Sequence, residues 1–273
     1  DEDKYVFQEG PWTDIPELCE AVVTLPSERV LCICSITYTA DWGSEENRGR
    51  FTLLRDNEGL DGAHRRGLQS VRALGPDCSR TLVMVTVDSP PPGRHVYRAL
   101  AAVSASDEAG STMRLEGLRQ LALVRLPMEI VSGPCHAVKP VRVEESAWLE
   151  IPGTAAELKL WRSRDRVLLV YQVDCHPQDY HYQAHFTIFR RDSSGAGEAK
   201  NLGFGDSLGV DVVSSDYRAS SEYPSGMLLD SPGALGPWTY YLAARVENMG
   251  TSAENAAVGV GYCTSLTAVA LGT

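Results

Sequence analysis

The densest group of side chains suited to chemistry lies in the segment DCHPQDYHYQAHF, residues 174–186. It holds the residue types that bind zinc, namely Cys175, His176, His181 and His185. On an extended strand His181 and His185 would point to the same side about 13 Å apart. That separation exceeds the span of one tetrahedral site, whose metal–ligand bonds are about 2 Å long. Only a bend in the chain would bring the ligands together, so we predict no metal site.

The same segment is better suited to binding a partner, because it interleaves tyrosines with histidines. Aromatic residues of this kind are enriched where proteins contact one another. The sequence therefore predicts a partner-binding surface formed by Tyr180, His181, Tyr182 and His185.

No stretch of the sequence carries a recognisable catalytic motif. There is no G-x-S-x-G nucleophile elbow and no phosphate-binding loop, and Gly203-Phe204-Gly205 lies outside any strand-to-helix context. The carboxylate pairs Glu45-Glu46 and Glu144-Glu145 have the character of exposed turn charges. We therefore predict a non-enzymatic protein with no catalytic residues and no cofactor. An enzyme site in a concavity of the fold is left open as the lesser alternative.

Charge and composition narrow the class of partner. The chain has 273 residues, a formal net charge of −11, 43% hydrophobic residues and 22% charged residues, which is typical of a globular protein. A net charge of this sign repels phosphate backbones and anionic lipid surfaces, so nucleic acid is not the expected partner. No apolar run reaches the length of about 20 residues that a membrane-spanning helix needs, so membrane insertion is not expected.

The cysteines indicate the redox compartment. There are seven, an odd number, and their spacing contains neither a C-x-x-C pair nor a zinc framework. Cys32 and Cys34 lie in the apolar run VLCICSITY, where they would share one face of a strand as small buried side chains. Free thiols in a reducing, intracellular or virion-associated setting are favoured over a secreted protein with one or two disulfides. A removed signal peptide stays open.

Internal repetition is the strongest feature of the sequence. Five blocks of the first half recur in the same order in the second half. The pairs of blocks are WTDIP and WLEIP, SERVLCICSITYTA and RDRVLLVYQVDCHP, GRFTLLRDNEG and AHFTIFRRDSSG, VTVDSPPPGRHVYRALAAV and MLLDSPGALGPWTYYLAARV, and LRQLALVRL and CTSLTAVAL. A period this long indicates tandem domains rather than the coils of a solenoid, whose units are roughly 20–50 residues.

The alignment of the blocks sets the domain boundaries. The matched residues include Phe51 with Phe186, Arg55 with Arg190, Tyr97 with Tyr240, and Ala101-Ala102 with Ala243-Ala244. A proline-rich connector lies between the copies, since it contains Pro134, Pro140 and a Gly-Pro pair. We predict a first domain at 1–127, a linker at 128–147 and a second domain at 148–273.

Each copy reads as a series of strands. The run from Val30 to Tyr38 is rich in β-branched and aromatic residues, and Thr81 to Val87 is a second apolar run ended by Asp88 and prolines. EGLRQLALVRL also fits a helical period, but its partner CTSLTAVAL reads as a strand, and the two copies share one fold. Short strands separated by turn signals predict an all-β chain of two tandem antiparallel jelly-roll β-sandwich domains.

The repeated Asp-Ser-Pro turns are interpreted as structural elements. Asp88 and Asp230 would accept hydrogen bonds from backbone N–H groups two residues further on. Gly93 and Gly236 would provide the positive φ needed to enter the next strand. The aromatic residues matched in these blocks are expected in the core, with their hydroxyls at its rim; they are Tyr97 and Tyr240.

These motifs resemble the compact jelly rolls of the TNF/C1q-like kind and the related repeats of viral and phage appendage proteins. The resemblance rests on Phe-x-Leu-x-Arg-Asp, on Asp-Ser-Pro followed by Pro-Gly and Tyr, and on the closing Ser-Leu-Thr-Ala-Val-x-Leu. It implies a closing strand in the centre of a sheet and a homo-oligomer, commonly a trimer. The first copy departs from the pattern at its close, where it reads Arg-Gln-Leu-Ala-Leu-Val-Arg-Leu.

Two functions follow as hypotheses. The first is a non-enzymatic structural protein that binds protein partners through loops and sheet faces within a larger assembly. The second is a surface-exposed or secreted module that recognises a glycan or a receptor. Seven reduced cysteines would exclude the secreted form of the second hypothesis.

Overall fold

The computed structural model describes residues 5–8, 11–41, 48–60, 68–71, 79–104, 112–144, 147–177, 182–193, 197–203, 209–215, 224–248, 257–261 and 264–272. In these ranges the chain consists of β-strands, without an α-helix and with a single 3-10 turn at Met128–Ile130. None of the described helical structure is long and apolar enough to cross a bilayer. The chain divides into two compact units, residues 1–126 and residues 127–273.

The first unit is a sandwich of two antiparallel sheets. Its described strands are β1 (Tyr5–Gln8), β2 (Thr13–Thr24), β3 (Glu28–Asp41), β4 (Arg48–Arg55), β5 (Glu58–Gly59), β6 (Gln69–Val71), β7 (Ser79–Asp88), β8 (Gly93–Ser104) and β9 (Thr112–Pro127). One sheet has the order β1-β9-β3-β7, and the other has the order β2-β8-β4-β5 with β6 also paired to β4. The long strands alternate between the two sheets along the chain, which is the winding of a jelly roll.

The second unit repeats this arrangement. Its described strands are β10 (Val131–His136), β11 (Val141–Val143), β12 (Leu149–Glu150), β13 (Ala156–Leu160), β14 (Arg166–Gln172), β15 (Cys175–Pro177), β16 (Tyr182–Asp192), β17 (Lys200–Asn201), β18 (Asp211–Ser215), β19 (Ser225–Asp230), β20 (Gly236–Asn248), β21 (Val258–Val260) and β22 (Ser265–Leu271). The sheet orders are β10-β22-β14-β19 and β12-β20-β16-β17, with a small third sheet β11-β21-β15. The predicted fold class, two tandem antiparallel jelly-roll sandwiches, is confirmed.

The strand registers place the matched residues of the two copies at equivalent positions. Phe51 lies opposite Ala101 in the first unit, and Phe186 lies opposite Ala244 in the second. The register therefore matches Ala101 with Ala244, which corrects by one residue the pairing of Ala101 with Ala243 read from the sequence. The closing strands also agree, because β9 lies between β1 and β3 as β22 lies between β10 and β14. The strand reading of EGLRQLALVRL was right.

The segment predicted as a linker, residues 128–147, instead contributes strands to the second unit. β10 pairs with β22, and β11 pairs with β21. Of the prolines that suggested a connector, Pro134 is tolerated because β10 is the edge strand of its sheet, and Pro140 lies just before β11. Pro134 also lies where the register of β10 shifts, between Ser132 and Cys135. An edge strand with an irregular register can hold a proline without losing a required hydrogen bond.

Each unit has its own hydrophobic core, filled by alternate residues of the strands. Along β3 the inward face carries Cys32 and Cys34, both completely buried. They behave as the sequence predicted, as small core side chains. Burial raises the pKa of the Cys34 thiol to about 12 and also raises that of Cys32. Neither thiol ionises near neutral pH, so neither is a reactive nucleophile.

Candidate functional site

The histidine-rich segment is divided between two sheets. His176 lies on β15, and its Nε2 is 2.7 Å from Oδ1 of the nearly buried Asp174. Cys175 faces the opposite side of the same strand and belongs to the core. Among the described residues no three metal-type side chains come together. The pair of Asp174 and His176 fixes the end of β15, because Asp174 also donates its backbone N–H to Thr264 Oγ1 at 3.0 Å.

The predicted partner-binding surface is wrong at His185. This residue lies in β16, a strand bordered by β20 on one side and by β17 and β18 on the other. Its side chain is only 1% exposed and its Nε2 lies 3.4 Å from Glu247 Oε2. The polar local composition suggested a loop, but pairing on both sides buries this position. Tyr180 and His181 lie outside the described residues, as does the side chain of Tyr182.

A buried polar cluster of three residues, which we call the Arg–Asp–Tyr cluster, occurs in the first unit. Arg55 Nη1 donates to both carboxylate oxygens of Asp88, at 2.8 and 2.9 Å. The hydroxyl of Tyr97 donates to Asp88 Oδ2 at 2.8 Å. Burial, reinforced by the adjacent Asp88 carboxylate, raises the pKa of Tyr97 well above its ordinary value. The hydroxyl is therefore a fixed donor.

The second unit has the same cluster at the equivalent positions. Arg190 Nη1 donates to the two oxygens of Asp230 at 2.9 and 2.7 Å, and the hydroxyl of Tyr240 donates to Asp230 at 3.0 Å. Burial raises the pKa of Tyr240 as well, again with help from the carboxylate. A buried ion pair whose remaining lone pairs are satisfied stabilises one geometry, and breaking it is costly. The clusters therefore join β4 to β7 and β16 to β19, across the two sheets of each sandwich.

The Asp-Ser-Pro turns differ from the prediction in one respect. Asp88 accepts a backbone hydrogen bond from Ser89, the next residue, because the residue two further on is Pro90, which has no N–H to donate. Its main partners are the side chains of the Arg–Asp–Tyr cluster. Gly93 and Gly236 have φ of +145° and +136°, so their predicted positive φ is confirmed. Both tyrosines are fully buried in their cores, and their hydroxyls end at the aspartates.

A second hydrogen-bonded site lies beside the cluster of the first unit. His95 is nearly buried, and its Nδ1 lies 2.6 Å from Asp56 Oδ2 while its Nε2 lies 2.7 Å from the carbonyl oxygen of Pro91. Both ring nitrogens face acceptors, an arrangement that favours the doubly protonated ring, in which both nitrogens donate. The Asp56 hydrogen bond accordingly raises the pKa of His95. Sequence reasoning missed this pair, since its members are 39 residues apart.

The loop after β2 and the loop after β13 each expose a large apolar side chain. Thr24 lies opposite Gly93 and Leu160 lies opposite Gly236, so Leu25 and Trp161 are each the first residue beyond that pair. The second loop is one residue longer, since Val30 and Val167 lie opposite the matched residues Asp88 and Asp230. Leu25 is 57% exposed and Trp161 is 74% exposed. Sequence reasoning did not single out either residue, although the run KLWRSRDR around Trp161 is an available signal.

The sheets that contain the closing strands have apolar outer faces. In the second unit the outward cross-strand pairs are Leu168 with Leu229 and Val170 with Met227. Their equivalents in the first unit are also apolar, namely Leu31 with Val87 and Ile33 with Val85, but Leu31, Val85 and Val87 are buried. The outer face of an antiparallel sheet is usually polar when it meets water. Met227 and Leu229 remain 42% and 48% exposed.

The chain matches no known family model and no curated protein. Several solved structures align with the chain, including two that each span nearly its whole length. One is the N-terminal CBM22-1-CBM22-2 tandem domain of Paenibacillus barcinonensis Xyn10C, at 11% identity and a TM-score of 0.27, covering 98% of this chain and 97% of that chain. The other is infectious bursal disease virus, Gx strain, at 7% identity and a TM-score of 0.35, covering 99% and 72%. Likenesses this weak show nothing about the function of this chain.

Proposed function

We propose that this chain is a non-enzymatic assembly protein that uses two jelly-roll scaffolds to present loops and sheet faces to protein partners. The observation that carries the proposal is a large exposed apolar side chain in the corresponding loop of each copy, Leu25 in the first and Trp161 in the second. Single exposed apolar residues are ordinary on protein surfaces. Exposure of such a residue in the corresponding loop of both copies supports a role of that loop in contact.

The outer sheet faces support the proposal. On the sheet that holds the closing strand of the second unit, β19 carries apolar, partly exposed side chains on its outward face. Partly exposed Met227 and Leu229 form an apolar surface that binding would remove from water. The TNF/C1q-like resemblance adds a homo-oligomer, commonly a trimer, as the expected form of self-association.

The contrast between the loop that carries Leu25 and the loop that carries Trp161 indicates that the two copies bind different neighbours. Leu25 belongs to a loop with one acidic and one basic residue, Glu28 and Arg29, whereas Trp161 belongs to a loop rich in arginine. A partner suited to one tip would not suit the other, because specificity depends on the charges around the apolar contact. Divergent tips on a shared scaffold are what a subunit with two neighbours requires.

Isolation of the chain from its native source tests the proposal. Chemical cross-linking followed by mass mapping is expected to join it to protein partners or to further copies, with links near residues 23–29, 159–166 or 225–229. Light scattering of the purified chain measures self-association separately. A chain that stays monomeric and yields no cross-linked partner would contradict the proposal.

A second candidate function is recognition of a glycan, and the exposed Trp161 favours it, because an indole ring stacks on the apolar face of a sugar. Binding to immobilised neutral oligosaccharides, lost in Trp161→Ala and retained in Leu25→Ala, would select this candidate. Mass mapping of unmodified thiols tests its secreted form, which needs at least one disulfide.

A further inference from the structure

The loop between β13 and β14 is the most strongly basic segment of the second unit. Four of the eleven lysines and arginines in residues 127–273 fall within the eight residues 159–166. We call these four side chains, together with Trp161 and Leu235, the cationic tip. Its basic residues are Lys159, Arg162, Arg164 and Arg166.

The cationic tip combines its charges with apolar surface. Lys159 Nζ lies over the Trp161 ring, 4.2 Å from the ring centroid. Leu160 pairs with Gly236, which brings the neighbouring Leu235 opposite Trp161 at the end of the sheet. Leu235 is 68% exposed, close to the 74% of Trp161. An indole and a leucine side chain are therefore both exposed at this end of the sheet, and the indole contacts an ammonium group.

The single acidic residue of residues 159–166 faces inward. Asp165 is only 7% exposed, and its Oδ2 accepts a hydrogen bond of 3.0 Å from the backbone N–H of Arg162. Its own backbone N–H donates to the Arg162 carbonyl at 3.2 Å. Asp165 thus stabilises the turn, and its buried side chain leaves the outer surface of the tip to the basic and apolar side chains.

We propose that the cationic tip docks an acidic polypeptide segment that also carries apolar side chains. The inference rests on the proposed assembly function and names the chemistry of one partner. Trp161 and Leu235 would take the partner's apolar side chains, while Lys159 and the arginines would pair with its carboxylates. Trp and Arg are the residue types that dominate binding at protein interfaces.

The net charge of the chain favours a peptide over larger anions. Electrostatic attraction in physiological salt is limited to a Debye length of about 8 Å. A short peptide segment confined to residues 159–166 meets four basic side chains and a single, inward-facing carboxylate. A nucleic acid duplex or an anionic bilayer extends over tens of ångströms and would also meet the rest of a chain whose net charge is −11.

The equivalent loop of the first unit provides a matched control. Counted from the end of the strand before the loop, Val23 and Leu25 stand where Lys159 and Trp161 stand, so the control loop has an apolar side chain in place of the ammonium group. Leu25 is 57% exposed, and Glu28 Oε2 accepts the Leu25 backbone N–H at 2.8 Å, as Asp165 does for Arg162. The two loops share this turn, which begins one residue later in the second unit, and they differ in charge.

The direct test uses fluorescence anisotropy of the full chain with a labelled, alternating Glu-Leu decapeptide. We expect saturable binding that weakens with added salt, that is lost with Gln-Leu and Glu-Ser peptides of equal length, and that weakens at least about tenfold in Trp161→Ala. The double variant Arg162→Gln/Arg166→Gln should weaken it similarly, and Leu25→Ala should leave it unchanged. All the substituted side chains are exposed, so each variant is expected to fold, and circular dichroism checks this.

Binding to other classes of ligand provides the alternative outcomes of the test. Tighter binding to phosphatidylserine vesicles, to single-stranded DNA or to neutral oligosaccharides than to the Glu-Leu peptide would overturn the inference, as would equal binding by wild type and Trp161→Ala. Cross-linking from the native source separates the two proposals. If the Trp161→Ala chain keeps its full set of native partners, the docking inference fails while the assembly proposal stands; if the wild-type chain has no partners, the assembly proposal fails.

Discussion

The two units keep the same buried cluster but differ in what lies beside it. In both, an arginine and a tyrosine donate to an aspartate at the end of a strand, with distances of 2.7–3.0 Å. The equivalent sets are Arg55, Asp88 and Tyr97 in the first unit and Arg190, Asp230 and Tyr240 in the second. Both copies therefore keep a polar arrangement whose disruption would leave a largely buried charge unpaired.

The position two residues before each cluster tyrosine is His95 in the first unit and Trp238 in the second. It keeps one contact in both units and changes another. His95 donates to the carbonyl oxygen of Pro91, and Trp238 donates to that of Ala234, each four residues earlier. The hydrogen bond that fixes the turn before β8 and β20 is therefore common to both units. The ionic partner is not, since His95 binds Asp56 whereas the Trp238 ring stacks under the Arg190 guanidinium at 4.9 Å. Only the first unit has a titrating ring at this site.

Removal of the aspartate should give the largest effect. Asp230→Ala leaves Arg190, whose side chain is only 10% exposed, without its counter-charge. We expect the second unit to lose about 3–5 kcal/mol of unfolding free energy. Asp88→Ala should cost the first unit less, because Arg55 is slightly more exposed and also pairs with Glu58.

Urea unfolding followed by hydrogen exchange of peptides from each unit measures these losses separately. Glu58→Ala serves as the control, since Glu58 is 75% exposed and should contribute little. Equal losses in Asp230→Ala and Glu58→Ala would show that the cluster does not stabilise the fold.

Removal of the tyrosine hydroxyl should have an intermediate effect. Tyr97→Phe and Tyr240→Phe keep the buried ring and delete only the donor to the aspartate, so each should cost about 1–2 kcal/mol. The two values should agree closely, because both rings are completely buried and both hydroxyls have the same partner type. Unequal costs, measured in the same unfolding experiment, would mean that the clusters are alike in geometry only.

The sequence predicted the framework because matched blocks mark the same strands in both copies. Phe51 and Phe186, or Gly93 and Gly236, could be aligned by local pattern alone. The contacts within a cluster could not, since Arg55 and Asp88 are 33 residues apart and meet only when the sheets pack. His185 failed for the opposite reason: its polar local context suggested exposure, while its strand is paired on both sides.

The pH dependence of the unfolding free energy should differ between the units. Its effect should be smaller than that of removing the aspartate or the tyrosine hydroxyl of a cluster. The hydrogen bond to Asp56 raises the pKa of His95 above its unfolded value. The resulting stabilisation is complete below roughly pH 6.5 and is lost as the pH rises through the raised pKa. The pKa of Asp56 is lowered, first by the Val96 N–H, so its contribution is lost only as the pH falls below about 4.

Hydrogen exchange between pH 6 and 9, corrected for the intrinsic rate, is the appropriate measurement. Peptides from β8 should lose protection as the pH rises, while peptides from β20 next to Trp238 should not show this loss. His95→Gln should remove the pH dependence of β8 by removing the titrating ring. A pH dependence that persists in His95→Gln would assign it to another group.

The loop tips should have the smallest effect on stability, and this would explain why they diverged. Leu25→Ala and Trp161→Ala remove side chains that are 57% and 74% exposed, so each should change the unfolding free energy by less than about 0.5 kcal/mol. Positions that do not affect folding can change without harm to the scaffold, whereas the residues of the Arg–Asp–Tyr clusters cannot. A cost above about 1 kcal/mol for Trp161→Ala, measured by urea unfolding, would mean that Trp161 packs against its own unit and that its chemistry is set by folding rather than by a partner.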